Sequence, residues 1–215
     1  MDALVDNLDL ILKGFWTTIQ LTVVASIAAL LLGTVLGTMR VSPIPPLRWL
    51  GAAYVEIVRN TPLTLVFFFM VFVAPQVDIV VEFKTSAYVA LSVYTAAFVC
   101  EAVRSGINSV STGQAEAARA IGMTFSQSIS TVILPQAMRS IIPPLINIFV
   151  ALTKNTSVAA GFFVTELFAS GRDLNLRHPS DGLWFLGGVA FFYLLITIPA
   201  GIAASQLERK VAIAR

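Results

Sequence analysis

The residues from Gly14 to Met39 include no charged side chain. About 20 consecutive apolar residues are enough to cross a lipid bilayer as a helix, so a run of this length favours a membrane span. Within it, Gly33 and Gly37 have a spacing that suits a close helix contact, although glycines are also tolerated there at random. Of the 215 residues, 57% are hydrophobic and 12% are charged, against about 25% charged in a soluble domain. We therefore predict an all-α integral membrane protein.

Four further apolar stretches follow the first one. The five predicted transmembrane helices cover residues 14–39, 53–73, 85–107, 138–160 and 183–207 of a single domain, 1–215, and a polar loop covers residues 111–135. Pro62 lies in the second predicted helix, so we expect a kink there. The carbonyl group that a kink frees needs a polar partner, and Asn60, Thr61 or Thr64 can supply one.

The fourth predicted span is unusual. Only fourteen residues separate Arg139 from Lys154, which is about 21 Å as a helix against a hydrocarbon core of about 30 Å. Pro143 and Pro144 also interrupt it. We therefore expect this span to be broken or tilted, with Lys154 inside the membrane region. Broken spans that carry polar residues are typical of transport paths.

Basic residues indicate the orientation of the chain. If the loop 111–135 is cytoplasmic, most basic residues lie on the cytoplasmic side, namely Arg40, Arg48, Arg59, Arg104, Arg119, Arg139, Arg209, Lys210 and Arg215. Those left outside are Lys13, Lys84, Arg172 and Arg177, with Lys154 unassigned. This distribution satisfies the positive-inside rule. We predict five spans with the N-terminus outside and the C-terminus in the cytoplasm.

The polar loop has the local signals of two helices. Ser111 and Gln114 have the spacing of a capping box, so a short helix begins at this point. Gly122 can end that helix in the left-handed conformation. Thr124 begins a second helix, which we predict to run to Pro135. A polar, capped segment between apolar spans has to face water, so it offers a surface to a soluble partner.

This loop resembles the EAA loop of ATP-binding-cassette importer permeases. The matching residues are Glu116, Ala117 and Ala118, then Gly122, then Ile133, Leu134 and Pro135, with Val132 in place of the commoner isoleucine. In that family the loop forms a coupling helix that docks in a groove of the cytoplasmic ATPase. The resemblance implies ATPase-coupling roles for Glu116, Ala117, Ala118, Arg119, Gly122 and Pro135. Without the full spacing, an ordinary amphipathic surface helix would be the simpler interpretation.

Other motifs extend the resemblance over about residues 10–210. The stretches Tyr54–Leu63, Glu101–Ile107, Leu134–Ala137 and Lys154–Ser157 are similar to conserved stretches of the polar amino acid permeases. Three segments, R-N-T-P-L-T-L, R-S-G-I-N and A-L-T-K-N-T, are most similar to the sequences of actinobacterial glutamate-uptake permeases. The chain is therefore identified as a member of the polar amino acid uptake family.

The resemblance implies a function and a set of partners. It implies a permease subunit in the bacterial inner membrane that imports glutamate or a related polar amino acid. An extracytoplasmic binding protein would deliver the substrate, and two cytoplasmic ATP-binding subunits would supply the energy. Because five spans are few for enclosing a path, we expect a second permease subunit, either identical or paralogous, as well as surrounding membrane lipid.

We predict that this chain is not itself an enzyme. His178 is the single histidine and Cys100 the single cysteine, which excludes a cysteine framework or a histidine cluster. No G-x-x-x-x-G-K-[ST] motif is present, so ATP and Mg²⁺ are expected in the partner ATPase and no cofactor or metal in this chain. The net charge of +2 has no basic run behind it, so nucleic acid is not indicated.

Two sets of polar or charged residues lie in or near the predicted spans. Lys154, Asn155, Thr156 and Ser157 form a tentative substrate path, in which the lysine would balance a substrate carboxylate. The alternative is that Lys154 snorkels to an interface or pairs with a carboxylate. We expect Lys154→Ala to impair transport without preventing assembly.

Three Glu-x-x-Arg pairs share helix faces, namely Glu56/Arg59, Glu101/Arg104 and Glu116/Arg119. In each of the first two pairs, we expect the glutamate and the arginine to form an ion pair with each other.

Two other functional classes remain as alternatives. One is a secondary amino acid transporter subunit driven by an ion gradient, which predicts acids along the spans. The spans Gly14–Met39 and Leu183–Leu207 contain none, and the coupling loop would have no role in such a protein. The other is a membrane assembly factor, for which a broken fourth span would have no use.

Overall fold

The computed structural model describes residues 2–212, with the side chains of residues 4–210. Within this part every regular element is a helix. The α-helices are α1 (Asp2–Asp6), α2 (Leu8–Val41), α3 (Pro45–Asn60), α4 (Leu63–Phe68), α5 (Phe83–Asn108), α6 (Thr112–Ala120), α7 (Phe125–Gln127), α8 (Leu134–Asn155), α9 (Leu167–Arg177) and α10 (Gly182–Ala212). The α4 helix continues as a π-helix (Phe69–Val73) and a 3-10 helix (Ala74–Val77). The prediction of an all-α membrane protein is confirmed.

Four continuous helical stretches are long and apolar enough to cross a membrane. They are Leu8–Val41, Phe83–Asn108, Phe125–Phe162 and Pro179–Lys210, and the bent pair Pro45–Asn60 and Leu63–Val77 makes a fifth if it is counted as one span. Residues of α2, α4, α5 and α8 share one core cluster, which contains Leu21, Phe67, Leu91 and Leu152.

The long helices α2 and α5 pack closely because glycines lie at their contact. A Cβ atom on Gly33 would be 2.5 Å from the Cβ of Val99, and one on Gly37 would be 2.8 Å from the Cβ of Val103. No side chain fits at either position without a shift. Gly33 and Gly37 therefore permit a close helix contact, as their spacing in the sequence indicated.

The second predicted span is not one helix. The chain turns by 101° between α3 and α4, so the expected bend at Pro62 is present, as a break between two helices rather than a kink within one. Thr61 and Pro62 both have extended backbone conformations, since a residue before proline is pushed out of the helical region. The carbonyl of Val58, which Pro62 leaves without its usual donor, accepts from Thr61 N at 3.3 Å. The side chains of Asn60 and Thr61 bind two other carbonyls of the last turn, since Asn60 Nδ2 donates to Glu56 O at 2.7 Å and Thr61 Oγ1 donates to Ile57 O at 2.7 Å.

The fourth span is continuous, which corrects two predictions. The helix that begins at Phe125 does not end at Pro135 but continues to Phe162, a total of 38 residues. It passes from α7 through a π-helix (Ser128–Ile133) into α8, and ends in a 3-10 helix (Thr156–Phe162). Pro143 and Pro144 lie inside α8 without interrupting it. Packing of α8 against α5 and α10 holds the helix together where the prolines remove two donors.

Candidate functional site

The loop between α5 and α8 is a rigid helical turn. The Ser111 side chain caps α6, since its Oγ accepts from Gly113 N at 3.3 Å. At the other end Gly122 has φ +85°, the left-handed region that glycine adopts without strain. Met123 N donates to Ala118 O at 3.1 Å and Gly122 N donates to Arg119 O at 3.0 Å. These two bonds form a complete Schellman motif, as the sequence position of Gly122 predicted.

The capping box forms at the second helix of the loop rather than the first. Gln127 N donates to Thr124 Oγ1 at 3.3 Å, and Thr124 N donates to Gln127 Oε1 at 2.9 Å. At Ser111 the predicted box with Gln114 is incomplete, because the serine hydroxyl accepts from Gly113 instead. The start of α6 at Thr112 is nevertheless as predicted.

The loop presents a mixed polar and apolar surface. Glu116, Ala117 and Arg119 are exposed, whereas Ala118 is buried. Ile121 and Phe125 are 79% and 81% exposed, which is unusual for large apolar side chains in a segment too polar to lie in lipid. Between α6 and the π-helix is a small recess of about 130 Å³, lined by Ala115, Arg119, Phe125, Ser128, Ile129 and Ile133. A surface of this kind suits a protein partner.

A polar cavity lies where α3 crosses α5. Its volume is about 320 Å³, and its lining residues are Val55, Glu56, Arg59, Asn60 and Phe98. The Arg59 guanidinium lies over the Phe98 ring, 5.3 Å from its centroid, a distance that allows cation–π attraction. Within the described residues Arg59 forms no ion pair, so its charge is available to a ligand in the cavity.

Phe98 also borders a second cavity, between α5 and α8. This cavity has a volume of about 110 Å³ and is lined by Tyr94, Thr95, Phe98, Ile148, Ala151, Leu152 and Asn155. Thr95 is 2% exposed, yet within the described residues its hydroxyl has no hydrogen-bond partner. A buried hydroxyl without a partner is rare, because losing its hydrogen bonds to water is unfavourable. We name the two cavities, which share Phe98, the central cleft.

The comparisons with known proteins identify the family. The family model described as "Binding-protein-dependent transport system inner membrane component" matches residues 29–213. The chain belongs to this family. It is therefore a multi-pass component of the inner membrane, in agreement with its apolar helices.

The similarity to individual relatives extends along nearly the whole length of the chain. The chain is 41% identical to "Probable glutamine ABC transporter permease protein GlnM" of Bacillus subtilis over 98% of this chain and 97% of that one. It is 40% identical to "Glutamate transport system permease protein GluC" of Corynebacterium efficiens over 94% of both. The structure described as "Crystal structure of an amino acid ABC transporter with histidines" matches with a TM-score of 0.88 and 28% identity, over 96% of both chains. The predicted resemblance to ABC permeases, including an actinobacterial glutamate permease, is confirmed.

The four residues of the tentative substrate path lie in different environments. Asn155 lines the central cleft. Lys154 is exposed in the last turn of α8, with no ion pair within the described residues. Thr156 is fully buried and donates to Thr153 O at 2.8 Å, and the Ser157 hydroxyl donates to Lys154 O at 2.8 Å. The structure therefore brings one of the four, Asn155, to a cavity.

The Glu-x-x-Arg pairs differ although their spacing is the same. Arg104 Nη2 donates to Glu101 Oε2 at 2.8 Å, and Arg40 of α2 donates to Glu101 Oε1. The expected pairing is thus right for Glu101. It is wrong for Glu56, whose carboxylate accepts from the Asn60 amide at 3.4 Å and forms no ion pair within the described residues. Glu101 and Glu56 differ because Arg40, on a second helix, holds the Glu101 side chain in place, where it also contacts Arg104.

The surroundings of two charged residues escaped the sequence reasoning. Arg59 was expected to pair with Glu56, and only the crossing of α3 over α5 places it in a cavity. Glu166 was not singled out, although it lies in an apolar stretch and begins α9. A lone carboxyl group in such a stretch, three residues before a helical alanine, is a capping signal that could have drawn attention to it.

Proposed function

We propose that this chain is the permease subunit of an ATP-driven importer of polar amino acids, with glutamate as its substrate. Support for this comes from its family, its permease relatives and the motifs that they share. An ion-gradient-driven transporter is not favoured, because the family is one of binding-protein-dependent systems. ATP hydrolysis would then take place in a partner subunit that uses ATP and Mg²⁺.

The proposed assembly contains this chain, a second permease subunit, two cytoplasmic ATP-binding subunits and an extracytoplasmic binding protein. The N-terminus would lie outside and the C-terminus in the cytoplasm, an orientation that rests on the distribution of basic residues. Phe83, the first residue of α5, would then lie at the outer side of the membrane, and α6 would lie on the cytoplasmic side.

The observation that carries the proposal is the capped turn from Ser111 to Gln127. Its hydrogen bonds cap both ends of α6 and the start of the helix that follows, while Glu116, Arg119 and Ile121 remain exposed. A rigid projection of this kind can transmit a displacement of the ATPase to the spans. Because α7, the π-helix and α8 are continuous, that displacement would act directly on the wall of the central cleft.

The central cleft suits a zwitterionic ligand. Arg59 can bind a carboxylate in a bidentate manner, and the Glu56 carboxylate in the same cavity can accept from an ammonium group. Asn155 and the unpartnered Thr95 hydroxyl supply further polar contacts beside Phe98. We propose that the substrate passes along this cleft. Lys154 would assist from the exposed end of α8, as the path hypothesis states.

The test is ATP hydrolysis by the reconstituted complex with glutamate and its binding protein added or withheld. Wild type is compared with a variant carrying Glu116→Lys and Gly122→Pro, and with Glu82→Lys as a matched charge change at the opposite end of α5. We expect loaded binding protein to stimulate hydrolysis in wild type and in Glu82→Lys, and not in the loop variant. Stimulation that persists in the loop variant, or a complex that retains no ATPase, would contradict the proposal.

A further inference from the structure

The helix α3 lies across the membrane-spanning helices rather than along them. Val55 shares a core cluster with Ala97 and Cys100 of α5, and the Arg59 guanidinium lies over the Phe98 ring of the same helix. Val55 and Arg59 are about 6 Å apart along the axis of α3, yet they meet the same turn of α5. A helix that advances in this way crosses its neighbour instead of running beside it.

The bend after α3 gives the same direction. The helical stretch Leu63–Val77 is bent by 101° from α3. It follows α5 back toward the first residue of that helix, since Phe72 and Phe83 both contact the Phe163 ring. The second crossing of the membrane therefore belongs to the stretch after Pro62. At nearly a right angle to this stretch, α3 has the direction of the membrane surface.

Charged residues at the ends of the spans indicate the depth of α3. A Cβ atom on Gly51 would lie 3.2 Å from Leu36 O and 2.7 Å from Arg40 Cγ, in the last turns of α2. Arg40 forms an ion pair with Glu101 of α5, which also pairs with Arg104. Such charges are unfavourable at the centre of a bilayer. The helix α3 therefore lies at the boundary between the headgroups and the acyl chains.

One side of α3 exposes large apolar side chains at this boundary. Trp49, Leu50 and Ile57 are 77%, 62% and 67% exposed, and their spacing places them on one side of the helix. Tryptophan is enriched at the boundary between membrane and water, because its ring is apolar and its N–H is polar. Arg48 precedes it and forms no ion pair within the described residues, so its charge suits the phosphate groups of lipid.

This apolar surface continues that of α2, a helix long and apolar enough to span the membrane. Only three residues, 42–44, separate α2 from α3. Val35 near the end of α2 is exposed, as are Val41 and Ile44 on the way to Trp49. A side of α3 that joins a lipid-facing span through exposed apolar residues has lipid as its natural neighbour.

We propose that α3 lies in the cytoplasmic surface of the membrane and that Trp49, Leu50 and Ile57 bind phospholipid where headgroups and acyl chains meet. The contact with phospholipid does not depend on the proposed function, but naming the leaflet cytoplasmic rests on the orientation given with it. The last turns of α3 line the central cleft with Glu56 and Arg59. The membrane surface therefore holds one wall of the cleft in place.

Two other neighbours would leave different signatures at Trp49. A second permease subunit that covered this side of α3 would exclude both lipid and water from the indole ring. A position in the cytoplasm, free or against an ATP-binding subunit, would keep the ring away from lipid. A measurement of depth therefore separates the three arrangements.

The test is quenching of tryptophan fluorescence in the full-length chain with the subunits that co-purify with it. The complex is reconstituted into vesicles of phosphatidylcholine and phosphatidylglycerol, in which part of the phosphatidylcholine has bromine on its acyl chain, either near the headgroup or near the chain end. The signal of Trp49 is the difference between wild type and Trp49→Phe, so the tryptophans of other subunits cancel. Trp16→Phe and Trp184→Phe give the same difference for two exposed tryptophans on continuous spans.

We expect the Trp49 signal to lose more intensity to bromine near the headgroup than to bromine near the chain end, because interfacial helices insert only about 5–10 Å deep. Acrylamide, which stays in water, should quench it weakly. Quenching by acrylamide without an effect of brominated lipid would overturn the proposal, as would a signal that neither quencher reduces. A signal lost mainly to bromine near the chain end would also overturn it, because α3 would then be part of a span.

This measurement needs neither substrate nor ATP. A complex in which Trp49 is quenched as expected, but which takes up no amino acid, would refute the proposed function and leave the membrane contact intact. A complex that imports glutamate, but whose Trp49 is quenched by acrylamide alone, would refute the membrane contact and leave the proposed function intact.

Discussion

The backbone of Gly106 lies directly against the side chain of Ile141, where α5 meets α8. A Cβ atom on Gly106 would be 2.2 Å from Ile141 Cγ1 and 3.2 Å from Ala137 O. These helices flank α6, so the contact joins the two helices on either side of the loop 111–135. Any displacement of the loop is therefore passed to α5 and α8 together.

Gly106→Ala should separate these helices. The added methyl group overlaps Ile141, and overpacking of this kind destabilises by about 1–3 kcal/mol. We expect a lower melting temperature of the purified complex and weaker coupling of ATP hydrolysis to uptake. Gly201→Ala on α10 is the control, since within the described residues no atom outside its own helix backbone lies within 4 Å of its Cβ position. Equal melting temperatures for the two variants would show that the contact at Gly106 can relax.

Gly122→Ala should weaken the turn at the end of α6. Alanine in the left-handed conformation is less stable than glycine by roughly 1–2 kcal/mol, so the Schellman motif opens more often. We expect a smaller stimulation of ATPase activity by loaded binding protein, with normal assembly. Gly113→Ala, where the nearest side-chain atom is 3.5 Å away, should not reduce it. A Gly122→Ala complex with full stimulation would mean that coupling tolerates a loose turn.

Glu101→Gln should affect stability, whereas Glu56→Gln should affect uptake. Glu101 receives charged hydrogen bonds from Arg40 and Arg104 in a half-buried site, and such bonds contribute about 1.5–3 kcal/mol when fully buried. We expect Glu101→Gln to lower the melting temperature. Glu56→Gln should leave the melting temperature unchanged and raise the KM for uptake. The reverse pattern would place the functional carboxylate at Glu101 instead.

Thr95→Val tests the unpartnered hydroxyl in the central cleft. Valine has nearly the shape of threonine and removes a buried hydroxyl that has no hydrogen-bond partner in the described part of the chain, so stability should be equal or higher. Uptake should nevertheless become weaker if the substrate uses that hydroxyl. Thr153→Val is the comparison, because the Thr153 hydroxyl donates to Phe149 O at 2.9 Å. Normal uptake by Thr95→Val would remove Thr95 from the proposed path.

The Glu166 carboxyl group should make stability depend on pH. Burial raises its pKa above the usual value of 4.5, although its four hydrogen bonds act in the opposite direction. A raised pKa in the folded state means that the stabilising contribution is complete below about pH 4.5 and decreases as the pH rises through the folded-state value. We expect the melting temperature of wild type minus that of Glu166→Gln to be greatest at low pH. A difference that grows toward neutral pH would show that the ionised form is favoured.

Local signals in the sequence were sufficient for most of the fold. The uncharged run from Gly14 to Met39 predicts a span because apolar length alone decides whether a helix enters lipid. The turn at Gly122 could be predicted equally well from the sequence, because the capping preferences of serine, threonine and glycine depend only on the neighbouring backbone. Pro143 and Pro144 misled the prediction because packing against other helices outweighs the two donors that they remove.

The sequence by itself therefore determined most of the membrane helices, the capped turn at Gly122 and the family motifs. Only the tertiary structure decided which charges are paired. Glu101 and Glu56 have the same local spacing to an arginine, but within the described residues Arg40 from α2 pairs with Glu101 and not with Glu56. In the same way, Arg59 meets Phe98 and Glu166 meets Tyr193 through helices that are far apart in the chain. Such contacts depend on how helices cross in space, which local periodicity and capping signals do not encode.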